Sequence, residues 1–132
     1  MGCLVICFTT TPFVALSYVW GRVQMLKTTN LNYEGLQEAG ALFNATGEFV
    51  VPQTICDAMR LCRRLGERYL WVDCLCVVQD AAPDEIDKML RAMAFIYTSA
   101  ECTIVAATGV DAERGLSGVG DPSQQRERGC QF

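Results

Sequence analysis

The chain has 132 residues, eleven Lys and Arg against fifteen Asp and Glu, a net charge of −4 and no histidine. This length suits one domain that buries roughly two thirds of the surface its unfolded form exposes, with no need of a disulfide or metal staple. The acidic balance argues against a nucleic-acid or anionic-membrane surface, and the lack of imidazole removes Ser-His-Asp and Cys-His nucleophile pairs and every histidine-based metal site.

The start, Met1-Gly2-Cys3-Leu4-Val5-Ile6, lacks the Ser or Thr of a myristoylation pattern at Ile6 and the basic region of a signal peptide. Residues 1–12 therefore read as an irregular lead, no stretch is apolar enough for a membrane span, and a cytoplasmic location is the expectation. Residues 13–20 are apolar and aromatic, with Ser17, Tyr18 and Trp20 at the end and Gly21 as a stop, which predicts a first strand with polar groups at its carboxyl end. Residues 22–51 carry Asn30, Asn32, Gly35, Gly40, Asn44 and Gly47, so a long connection is predicted there, with one short helix near residues 33–39.

Pro52 and Thr54 open a predicted helix in which Ile55, Met59 and Cys62 recur at helical spacing until Gly66. Its Arg60, Arg63 and Arg64, with Arg68 beyond, read as a solvated face in preference to a phosphate site. The run Tyr69-Leu70-Trp71-Val72-Asp73-Cys74-Leu75-Cys76-Val77-Val78-Gln79-Asp80 reads as a strand buried on both faces whose polar end, Asp73 to Asp80, falls where ligands bind in open parallel sheets. Pro83, Asp84 and Glu85 then start an amphipathic helix with Ile86, Met89, Leu90, Met93 and Ile96 or Tyr97 on one face, read as core. Residues 102–107 form a third short strand, and residues 121–132 read as a disordered tail or the remnant of a longer protein. Strand, helix, strand, helix, strand implies right-handed crossovers and a parallel sheet covered on its faces.

With parallel strands, Ser17-Tyr18, Asp73-Cys74 and Thr108 arrive at one edge of the sheet. Asp73 there can act as an acid or base with a desolvation-raised pKa, or cap a loop; the cap is the commoner role. Cys76 has no His or nearby Lys to lower its pKa and reads as a packed thiol, as do most of the eight cysteines, and no C-x-x-C pair suggests a metal. Gln79 and Asp80 suit a ribose or a loop backbone, the latter favoured; Trp20 and Trp71 offer ring faces but more often belong to a core, as does Tyr97. Neither usual phosphate-binding glycine loop occurs, so ATP or GTP hydrolysis is unsupported and no cofactor is identified.

The blocks Ala15-Leu16-Ser17-Tyr18-Val19-Trp20-Gly21, Val51-Pro52-Gln53-Thr54-Ile55-Cys56-Asp57-Ala58, residues 69–80 and Met93-Ala94-Phe95-Ile96-Tyr97-Thr98-Ser99-Ala100 closely resemble the fungal heterokaryon-incompatibility (HET) domain, and Gly115-Leu116-Ser117-Gly118-Val119 fits as well. The resemblance spans residues 13–120 and makes Ser17, Tyr18, Trp20, Gly21, Trp71, Asp73, Cys76, Gln79, Asp80 and Tyr97 the motif and ligand-site candidates. It implies a signalling or effector module of fungal non-self recognition and programmed cell death, working by self-association or with other protein domains. It also implies a distant likeness to Toll/interleukin-receptor (TIR) domains, and so a three-layer, flavodoxin-like parallel sheet with helices on both faces, or a truncated copy of one. Some TIR relatives cleave NAD with a glutamate, which makes NAD a candidate substrate, although no motif carries that glutamate onto this chain. Two departures stand out: Met89 occupies a position where the family often has Glu or Gln, and Cys74 one where a small polar residue is common. An NAD or related nucleotide hydrolase and an inert truncated paralogue are the competing readings.

Overall fold

The computed structural model describes residues 2–44 and 50–120, so the tail expected at 121–132 and part of the long connection lie outside the described residues. A first strand, β1 (Val14–Ser17), is the centre of a three-stranded sheet of order β2-β1-β3, with β2 (Leu70–Trp71) and β3 (Cys102–Val105) parallel to it on either side. Between the strands come helix α1 (Gln53–Arg64), the one-turn helix α2 (Asp73–Cys76) and helix α3 (Pro83–Ser99). The expected α/β class, the parallel sheet and the two long helices are all present.

Helix α1 ends where Gly66 takes the left-handed conformation, φ +80°. The Glu67 N–H then donates to the Cys62 carbonyl and the Gly66 N–H to that of Arg63, so the last carbonyls of the helix are satisfied by a Schellman turn that glycine adopts without a Cβ penalty. Helix α3 begins with Pro83 at its first position and with Asp84 and Glu85 in its first turn, where a missing N–H costs nothing and carboxylates meet the positive end of the helix dipole.

Strand register decides which side chains share a face. Val14 pairs with Leu70 and Cys102, and Leu16 with Ile104, so these point one way; Ala15 pairs with Trp71 and Thr103, which point the other. The first face is the main core, where Leu16 meets Ile55 and Ala58 of α1, Val72, Cys74 and Leu75 after β2, and Met25, Leu26, Leu36 and Leu42 from the long connection. On the second face the Tyr97 ring of α3 stands edge-on to Trp71 with centroids 5.5 Å apart, and its hydroxyl donates to the Leu16 carbonyl at 3.1 Å.

Four expectations need correction. The apolar run from Tyr69 does not continue as a strand: β2 stops at Trp71 and the chain turns into α2, because Asp73 accepts the Cys74 N–H at 2.7 Å and the Cys76 N–H reaches the Val72 carbonyl at 2.7 Å. The first strand is also shorter than residues 13–20, ending at Ser17. The methionine-bearing stripe of α3 is only half-buried, since no residue of that helix is fully covered. Finally, Cys62 and Cys74 are buried as expected of small hydrophobes, but Cys7, Cys76 and Cys102 belong to exposed positions.

The long connection sends Met25, Leu26, Leu36 and Leu42 into the core, while Leu31 and Phe43 stay exposed. Its predicted helix is a single 3-10 turn (Gly35–Gln37), and it is held by backbone bonds, Leu26 N–H to the Val50 carbonyl and Thr28 N–H to that of Cys74, each at 3.0 Å. The Thr28 hydroxyl adds a bond to the Leu75 carbonyl at 2.6 Å. Residues 2–12 hold no helix or strand; Leu4 N–H donates to Leu36 and Leu42 N–H to Gly2, which docks the start of the chain on this connection.

Candidate functional site

Parallel strands deliver the ends of β1 and β2 to the same edge of the sheet, and the residues that follow them interlock. The Trp20 indole Nε1–H donates to Asp73 Oδ2 at 2.9 Å, while Asp73 Oδ1 accepts the Cys74 N–H. The Tyr18 hydroxyl lies 3.2 Å from Cys74 Sγ, to which it donates. Lys27, from the buried connection, places its ammonium 4.7 Å from the centre of the Trp20 ring, a cation–π contact.

Burial governs the electrostatics of this cluster. Desolvation raises the pKa of Asp73 and outweighs the stabilisation of its charged form by the Cys74 N–H, Trp20 and Tyr18. The same cause, reinforced by the neighbouring Cys74 and Asp73, raises the Tyr18 phenol far beyond its ordinary value, so it stays a neutral donor. Burial pushes the Cys74 thiol up to about 12 and the Cys76 thiol up to about 11, which leaves both protonated near neutrality and poor nucleophiles. Cys76 is exposed as a residue, yet its sulfur turns inward and accepts the Val72 N–H at 3.4 Å.

The other candidates separate into two groups around this centre. Gln79 donates its side-chain amide to the Asp73 carbonyl at 3.3 Å and the Val77 carbonyl at 3.0 Å, closing the loop after α2. Asp80 accepts the Asn30 N–H at 2.8 Å and the Asn30 side-chain amide at 3.2 Å, tying that loop to the long connection. Ser17, two residues on from Ala15 in β1, falls by register on the second face with Trp71 and Tyr97, whose hydroxyl is pushed up by burial and by the charge of Asp73. Gly21 has φ +66°, and a Cβ there would collide with Asp111, so both conformation and space require glycine. Thr108, expected at the same edge, is exposed beyond the end of β3.

Sequence reasoning missed Lys27, Asn30 and Asp57. A lysine and an asparagine in a long connection carry no periodic signal, and only the fold of that connection brings them to Trp20 and Asp80. Asp57 was readable as part of a family block, but nothing in its spacing marks it as buried.

Chemically, the cluster offers one carboxylate of raised pKa, a neutral phenol and an indole under a lysine, at the carboxyl ends of parallel strands. That is the usual ligand-bearing edge of an open α/β sheet, and it defines a small parallel α/β domain with a partly buried polar centre. The chain belongs to the heterokaryon incompatibility protein (HET) family, whose model matches residues 13–132. No curated protein and no solved structure matches the chain. Among the described residues no helix is long and apolar enough to cross a membrane.

Proposed function

We propose that this HET-family domain is a cytoplasmic signalling or effector module of fungal non-self recognition and programmed cell death, acting by self-association or through other protein domains. The family match over residues 13–132 carries this reading. We further propose that the sheet is the core of a TIR-like, flavodoxin-like three-layer arrangement. Its support is the central parallel β1, with α1 packed on the Leu16 side and Tyr97 of α3 on the Trp71 side. The test is inducible expression in a fungal host, with the domain fused to a ligand-controlled dimeriser. Growth arrest on induced dimerisation is expected, and unimpaired growth with the dimeriser engaged supports the inert-paralogue reading instead.

A second reading, hydrolysis of NAD or a related nucleotide, is favoured by the raised-pKa carboxylate of Asp73 beside Tyr18, Trp20 and Lys27. Nicotinamide release from NAD at high protein concentration, lost in Asp73→Asn, is the outcome this reading requires. Absence of release sinks it without touching the signalling role.

A further inference from the structure

Residues 111–120 form neither helix nor strand, yet they are held tightly. Their anchors are two buried side chains on the first turns of α1. Asp57, 2% exposed, receives the Leu116 N–H on Oδ2 at 2.9 Å, and the Gln53 amide and Arg60 guanidinium on Oδ1, each at 2.8 Å. Gly120 lies beside the same carboxylate. Thr54 accepts the Gly115 N–H on its hydroxyl at 3.1 Å and donates its own N–H to the Ala112 carbonyl at 3.0 Å. At its other end the segment reaches the polar cluster: the Ala112 N–H donates to the Trp20 carbonyl at 3.3 Å, and Asp111 fills the space that Gly21 leaves open.

We propose that residues 111–120 are a strap that sets Trp20 against Asp73, and that Asp57 and Thr54 are its latch and thereby positioning residues for the site. The proposal rests on the reading of the Trp20–Asp73 cluster as the functional site. Trp20 lies beyond the end of β1, with no ladder partner of its own to orient it, and its backbone is fixed from the strap side through Ala112. Releasing the latch frees the strap at Gly115 and Leu116 and leaves Ala112 held by the Thr54 N–H alone, which loosens the Trp20 backbone and so the indole that donates to Asp73. The latch carboxylate has a stake beyond geometry, because a buried acceptor that loses a partner is left with an uncompensated lone pair.

The experiment is two-dimensional NMR of the full 15N-labelled chain, following the Trp20 indole N–H signal, assigned through Trp20→Phe, and the backbone amides of β1. In Asp57→Asn and in Thr54→Val the Trp20 indole is expected to exchange with solvent roughly ten-fold faster or more, as for a group released by local opening. The ladder amides of β1 stay protected. Arg60→Gln, which removes only the ion pair to Asp57, leaves the Trp20 indole unchanged. Should Asp57→Asn fail to fold, Thr54→Val decides alone, since it keeps the carboxylate. An unchanged Trp20 indole in a folded latch variant, or equal acceleration of the Trp20 indole and the β1 amides, overturns the strap. Neither result bears on growth arrest, so the strap fails or stands separately from the signalling role.

Discussion

Two amphipathic helices pack against one small sheet with very different results. Helix α1 places Thr54, Ile55, Asp57, Ala58 and Cys62 out of solvent, whereas α3, five residues longer, fully buries none. On the α3 side Leu90 is 60%, Phe95 70% and Val105 of the edge strand 63% exposed. The difference lies in what else arrives. The α1 face also receives the long connection, the residues after β2 and the strap, so its side chains are enclosed on all sides, while α3 meets the sheet through Tyr97 and little besides. Hydrophobic periodicity states which way a helix faces; enclosure depends on how many other elements converge there.

The largest effect that would test this contrast is at its centre. Ile55→Ala, at a fully buried position, is expected to cost about 2–5 kcal/mol in chemical denaturation. A loss near that of a surface site would mean that the α1 face is not the main core. Next comes the latch: Asp57→Ala strands the Leu116 N–H and the Gln53 amide, an expected loss of about 1–3 kcal/mol by the same measurement. On the α3 side Tyr97→Phe removes one bond to the Leu16 carbonyl and keeps the ring contact with Trp71, for about 0.5–1.5 kcal/mol.

The polar cluster between the two regions gives a pH signature. Since folding raises the pKa of Asp73, the folded state holds that proton more firmly than the unfolded one. Its contribution to stability therefore declines as pH rises from the ordinary carboxylate value through the raised folded value, and is level above it. Denaturation midpoints measured across that window should lose this slope in Asp73→Asn; an unchanged slope would assign the effect to another group. The smallest expected effect is Phe95→Ala, within about 0.5 kcal/mol, because the ring is largely in water and alanine is the better helix former. A cost matching that of Ile55→Ala would show that this side of the molecule is covered in solution.

Much of the architecture was legible in the sequence because its signals are local. Gly66 stops α1, Pro83 with Asp84 and Glu85 starts α3, an apolar run marks β1 and a β-branched one β3. Alternation of strand and helix then leaves a parallel sheet as the economical topology. Local signals also misled at residues 72–78, where an apolar run looks like strand but the Asp73 carboxylate, by accepting the next N–H, turns the chain into α2. A short apolar run cannot declare its own conformation by composition alone.

The family blocks single out Tyr18, Trp20, Asp73 and Gln79 without their wiring. That Trp20 would donate to Asp73, Tyr18 to Cys74, and Gln79 to the loop it sits on could not be read from spacing, since the partners lie far apart in sequence or compete with several alternatives. By itself, the sequence determined the class of fold, the positions of the long helices, the absence of imidazole chemistry and membership of the HET family, all of which rest on composition, periodicity or unbroken motifs. Only the tertiary structure decided that the long connection gives Met25, Leu26, Leu36 and Leu42 to the core, that α3 is half-covered, and that Asp57 clasps residues 111–120 beside the site. Burial and hydrogen-bond pairing are properties of segments brought together from across the chain, and no local stretch specifies them.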